Sequence, residues 1–186
     1  TVIEAGRKGS DRVGGALLKI AGDPLYPVIV RATALSLLAA YPGKDTLRTF
    51  ELALMDDEAL IRQVAVNSLE VYDEKQMTTL LAPLLYDPVK AVRVEAARRL
   101  AGKPAKHLKE EDRKVFKLAL RGFEKSMEYA GDFAYGRYNL GNLYVALDRP
   151  EEAIRSYQAA IAIDDLFYQA KVNLAMLYNR IEKNSE

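Results

Sequence analysis

Two periodicities run through the chain, and they restrict its fold more than any other feature. In the first half, Ile29-Val30-Arg31, Leu60-Ile61-Arg62 and Ala91-Val92-Arg93 return every 31 residues. Ala34, Ala65 and Ala96 keep that register, as do Leu38, Leu69 and Leu100. Apolar side chains at i, i+4 and i+8 make one buried face of a helix. A small Ala in its middle lets a neighbouring helix approach closely. In the second half the period is 34 residues: Leu140-Gly141-Asn142-Leu143-Tyr144 returns as Leu174-Ala175-Met176-Leu177-Tyr178. Ala119, Phe123 and Ser126 return at the same spacing as Ala153, Tyr157 and Ala160. Units of this length cannot bury their apolar face alone and must stack on one another. The expected fold is all-α, a right-handed α-solenoid of helical hairpins.

Each helix of the first half follows a second amphipathic stretch, at Val13–Ile20, Leu47–Met55 and Met77–Leu85. Acidic or proline-containing turns join the pairs at Asp23-Pro24, Asp56-Asp57 and Asp87-Pro88. Asp is expected to cap the next helix there, and Pro suits a first turn. Asp56 and Asp87 each stand six residues before Arg62 and Arg93, with Ile or Val before the Arg and Ala three after it. This resembles the HEAT-repeat signature. Asp23 departs from it, eight residues before Arg31. The resemblance implies about three HEAT-like hairpins over residues 1–105, with Arg31, Arg62 and Arg93 forming a structural ladder between repeats.

The second half resembles the tetratricopeptide repeat (TPR), which pairs Leu-Gly and Tyr on its first helix with Ala, an aromatic and Ala on its second. Residues 134–167 make one full unit within a TPR-like region spanning 106–186. Residues 110–130 form a long helix and 168–182 a half unit. The resemblance implies that Gly141, Ala153 and Ala160 are small because the hairpin helices cross there, with Tyr144 and Tyr157 filling the space between. The junction at 101–109 carries Gly102, Pro104 and a charged run. No flexible linker is expected, since a helix from Glu110 onward can stack on the last HEAT-like hairpin.

Chemistry is sparse. There is no Cys, which removes disulfides, thiolate metal sites and Cys nucleophiles from this chain. The single His107 lies in the junction with no second ligand or triad partner in the sequence around it. Gly14-Gly15 sits in a helical pattern without the Lys-Ser/Thr of a phosphate loop, and its expected role is close helix packing. The acid pairs Asp56-Asp57, Glu151-Glu152 and Asp164-Asp165 and the run Glu110-Glu111-Asp112 fall at helix ends, where acids complement the dipole. Charge is balanced, 27 Lys and Arg against 26 Asp and Glu, so the basic excess of a nucleic-acid binder is missing. No apolar run reaches the length of a membrane span. Arg113, Lys117 and Arg121 share one face of the long helix, expected to be solvated. The chain opens on Thr1 and reads as part of a longer protein.

Neither a catalytic group nor a cofactor or metal site is expected in these residues, and the chain is read as a non-catalytic scaffold for protein or peptide contacts. In the TPR family the first helices line a concave groove, which carries the candidate partner-binding residues Tyr135, Tyr138, Asn139, Asn142, Asn173 and Met176. Asn donates and accepts at once and so suits a peptide backbone. Asn142 and Asn173 match two positions of TPR proteins that clamp a peptide carboxylate; the clamp's Lys is replaced by Tyr138, which argues against that use. The order of the repeats, with Val30-Arg31-Ala32-Thr33-Ala34-Leu35 and Leu81-Ala82-Pro83-Leu84-Leu85-Tyr86-Asp87-Pro88-Val89, also resembles the C-terminal region of bacterial multihaem c-type cytochromes. That resemblance implies an extracytoplasmic electron-transfer parent with covalent haem c upstream, whose haem domain is itself a partner. The alternatives are a TPR peptide-binding assembly factor and a HEAT-like enzyme or nucleic-acid binder. Weak self-association is expected at a solenoid end that lacks its cap.

Overall fold

The computed structural model describes residues 1–71 and 73–183. Helix is the only repetitive structure among them. The first half contains α1 (Val2–Arg7), α2 (Gly14–Gly22), α3 (Val28–Leu38), α4 (Lys44–Ala53), α5 (Ala59–Ser68), α6 (Glu74–Leu81) and α7 (Lys90–Leu100). The second contains α8 (Glu110–Tyr129), α9 (Ala134–Ala146), α10 (Pro150–Ile163) and α11 (Tyr168–Lys183). The architecture is an α-solenoid of stacked hairpins.

The 31-residue register builds the inner layer. Helices α3, α5 and α7 pack side by side, while α2 and α4 pack together outside them. The register residues Ala34, Ala65, Ala96, Leu38, Leu69 and Leu100 are all fully buried. Full burial of an aliphatic side chain is worth about 1.5–3 kcal/mol, so this stripe holds the first half together.

Three local expectations are corrected. The stretch Met77–Leu85 is not one helix: α6 stops at Leu81 and a 3-10 turn follows over Ala82–Tyr86. Pro83 has no N–H to donate and its ring crowds the preceding turn, so the α-helix cannot run through it. The turn aspartates do not cap the helix interior either. Asp56 Oδ1 accepts from the Glu58 amide at 3.0 Å and Asp87 Oδ1 from the Val89 amide at 2.8 Å. Those amides belong to the N-cap residues themselves, so each Asp closes a short turn just before its helix. Helix α1 has no counterpart in the repeat pattern; Thr1 Oγ1 caps it by accepting from the Glu4 amide at 3.2 Å. Gly14 lies in ordinary contact with Tyr41 and Gly15 in open space, so close packing does not explain this pair.

Helix α8 joins the two halves. It stacks on α7 on one side and on α9 on the other. Its Phe116, Ala119, Leu120 and Phe123 complete the first core, which continues across residue 105 as far as Leu143. A second core forms around Ala153, Tyr157, Ala160, Ala170 and Leu177.

Close approach of α9 and α10 rests on Gly141. A Cβ there would lie 2.4 Å from Tyr157 Cε1, and the ring is almost fully buried. Gly141→Ala is therefore expected to cost about 1–3 kcal/mol through overpacking. Chemical unfolding followed by circular dichroism measures this; an unchanged midpoint would show that the Tyr157 ring moves aside freely. Ala175, which occupies the equivalent place on α11, is exposed.

Candidate peptide-binding groove

The asparagines of the 34-residue repeat meet on one surface. Asn142 sits on α9 and Asn173 one repeat later on α11, and their amides join directly, Asn173 Nδ2 donating to Asn142 Oδ1 at 2.9 Å. The Tyr157 hydroxyl, from α10 beneath them, donates to the same oxygen at 2.8 Å. Burial holds the Tyr157 pKa above its ordinary value, so the phenol stays protonated and serves as a donor. Asn173 Nδ2 also donates to the Tyr138 hydroxyl at 3.3 Å. This network orients the two amides. The Asn142 NH2 and the Asn173 carbonyl oxygen make no hydrogen bond to a described residue, one donor group and one acceptor side by side.

Around them lies a cleft of about 470 Å³, walled by Val145, Met176 and Leu177 with Arg180 at its rim. Met176 is 65% exposed and Val172 56%. The floor is polar and fixed, the walls are apolar, and one cation stands at the edge. That combination suits an extended peptide: backbone groups pair with the amides and side chains lie on the walls.

Of the six residues singled out from the sequence, Asn142, Asn173 and Met176 line this cleft. Tyr138 supports it from below, its ring 5.2 Å from Phe167 edge-on and 6.0 Å from Tyr157. Tyr135 is exposed near the start of α9, and Asn139 is half-buried outside the cleft. Sequence reasoning missed Tyr157 as a polar partner, because its pattern marks it only as the buried aromatic of the repeat. It also passed over Arg180, which lies past the repeating motif. Tyr144 packs half-buried against the second core, with the Arg149 guanidinium 4.7 Å from its ring centre.

The structural residues fall into a ladder. Arg31 reaches Asp56, and Arg62 grips Asp87 through Nε at 2.6 Å and Nη2 at 3.0 Å. Each rung links one hairpin to the next. Arg62 Nη1 donates to the carbonyls of Asp56 and Asp57 at 2.7 and 2.9 Å, which anchors the guanidinium to its own turn. Arg93 repeats only this anchoring half, with Nη1 on the Asp87 and Pro88 carbonyls at 2.6 and 2.9 Å. Among the described residues Asp23 has no Arg partner, and its Oδ1 accepts from the Leu25 amide.

His107 lies 3.6 Å from Glu74 on the surface. Among the described residues no group of three or more His, Cys, Asp or Glu side chains could hold a metal ion, and no helix is long and apolar enough to cross a membrane.

Fold and groove together define a helical-repeat protein of the kind that presents a surface for protein contacts. The tetratricopeptide repeat family matches residues 134–165, the hairpin of α9 and α10. No curated protein and no solved structure matches the chain.

Proposed function

We propose that this chain is a non-catalytic scaffold that holds an extended segment of a partner protein in the groove between α9 and α11. The observation that carries the proposal is the fixed Asn142–Asn173 pair, which keeps a donor and an acceptor open between apolar walls. The tetratricopeptide match over the same hairpin supports it, since such repeats serve protein contacts. The first half acts as a stiff support. Its arginine rungs and 31-residue register support a HEAT-like reading of α2 to α7. The haem-bearing, extracytoplasmic parent rests on the resemblance of residues 30–35 and 81–89 alone, and a haem stain of the full-length protein tests it.

Selection from a library of random peptides displayed on phage tests the groove. Peptides are expected to be enriched, and Asn173→Ala is expected to weaken them about tenfold, the loss of roughly 1.4 kcal/mol that one or two neutral hydrogen bonds supply. Asn173→Ala is the right variant because Asn142 Oδ1 keeps its bond from Tyr157, whereas Asn142→Ala would strand that buried hydroxyl. Enriched peptides that bind Asn173→Ala as tightly as the parent protein would place the binding surface elsewhere.

A further inference from the structure

The ladder of arginines ends on a rung without its acid. Arg62 divides its guanidinium between two tasks: Nη1 anchors to its own turn, and the Nε–Nη2 edge grips Asp87 of the next hairpin. Arg93 is anchored in the same way by Nη1. Its Nε–Nη2 edge makes no hydrogen bond or ion pair with any described residue. The reason is in the register. Asp56 and Asp87 are 31 residues apart, and the residue the same distance further on is Leu118 of α8, which is 68% exposed.

Arg93 lines a cleft of about 330 Å³ between α7 and α8. Lys90, Arg121 and Lys125 line the cleft with it, and among the described residues no carboxylate does. None of these four cations has an ion pair among the described residues. On the same helix, Arg113 is paired with Glu110 at 3.2 Å, and Glu124 turns away to Arg149 at 3.7 Å. Of the unneutralised cations of α8, Arg121 and Lys125 stand beside Arg93, while Lys114 and Lys117 lie outside the cleft. The remaining lining is apolar, Leu118 above all. Four like charges beside one another repel, and each is relieved by an anion between them.

We infer that this cleft is a docking site for an acidic segment of a partner protein, whose Asp or Glu side chain takes the place that Asp87 takes on Arg62. The fork of a guanidinium matches a carboxylate through two parallel hydrogen bonds. Lys90, Arg121 and Lys125 draw the acid in, and Leu118 accepts an apolar side chain next to it. The apolar wall is what selects a peptide over an inorganic anion. The site lies on α7 and α8 and uses none of the asparagine groove, so either can fail without the other.

The test uses the whole chain labelled with nitrogen-15, following the Arg Nε–H resonances. The Arg93 signal is assigned by its disappearance in Arg93→Lys. Three probes are titrated at equal ionic strength: a blocked Gly-Asp-Leu-Gly peptide, its Asn twin, and inorganic phosphate. The Asp peptide is expected to shift the Arg93 signal to saturation, the Asn twin to leave it in place, and phosphate to bind more weakly than the Asp peptide. Reversal of two exposed charges, Arg121→Glu with Lys125→Glu, is expected to weaken the Asp peptide about tenfold or more, and Asn173→Ala to leave it unchanged. The fold does not depend on either reversed residue, which circular dichroism verifies. The inference is overturned if the Asp peptide leaves the Arg93 signal unmoved, if its Asn twin acts equally, if phosphate binds more tightly, or if the double reversal has no effect.

Discussion

Asp87→Ala is expected to lower the unfolding free energy by about 3–5 kcal/mol, the usual loss when one partner of a buried ion pair is removed. The Asp87 side chain is 3% exposed and that of Arg62 11%, so the guanidinium left behind cannot regain full hydration. The same change removes the acceptor of the Val89 amide and opens the turn before α7. The exposed Lys8–Glu4 pair sets the contrast. Both side chains there are more than half exposed, and Lys8→Ala is expected to leave stability unchanged within error. Urea unfolding of the two variants makes the comparison; an Asp87→Ala loss no larger than that of Lys8→Ala would mean the rung is ornamental.

The same rung sets an acid limb. Burial disfavours the Asp87 carboxylate, but the hydrogen bonds from Arg62 and the Val89 amide, with the charges of Arg62 and Arg93, outweigh it and hold its pKa below the ordinary value. An unfolded Asp titrates near pH 3.9. A pKa depressed in the folded state stabilises the fold above the unfolded value, and that contribution is lost as pH falls toward the folded one. Stability is thus expected to drop below about pH 4. Asp87→Asn is expected to flatten this part of the profile.

Gly102→Ala is expected to cost about 2–5 kcal/mol, from two sources that add. Gly102 has φ +88°, in the left-handed region that costs an L residue about 1–2 kcal/mol. A Cβ at that position would also fall 2.5 Å from the Ala146 carbonyl oxygen, which is backbone and cannot rotate away. Overpacking of this kind costs about 1–3 kcal/mol. Gly9 separates the two terms: its φ is +70° and nothing surrounds it within 4 Å, so Gly9→Ala reports the backbone strain alone. Equal losses in the two variants would show that the contact with Ala146 yields. The contact matters because Gly102 ends the first half and Ala146 ends α9, so the substitution loosens the seam between support and groove.

Much of this architecture is legible in the chain because helical repeats are nearly one-dimensional: each unit touches only its neighbours. A residue's place in the 31-residue register marks Ala65 and Leu100 as buried, and the 34-residue register puts Gly141 against Tyr157, though not Ala175, which is exposed on α11. Small residues at fixed offsets state where helices cross. The break at Pro83 was equally open to reading, since the ring forbids the bond, yet the apolar pattern across it is continuous and masks it.

What the tertiary structure alone decided are relations between units. The sequence places Asp56 and Asp87 six residues before an Arg, but each carboxylate binds the Arg 25 residues before it, in the preceding hairpin. Asn142 and Asn173 occupy different positions of the 34-residue register, matched by Met176 and Asn139; stacking turns them into one bonded pair beside the same cleft. Arg93 matches Arg62 residue for residue, and differs only because α8 presents Leu118 where a further hairpin would present an acid. Periodicity determines which face of each helix is buried, since that depends on a residue's own neighbours along the chain. Which polar groups are satisfied depends on what the next element brings within about 3 Å, and only the packed structure supplies that.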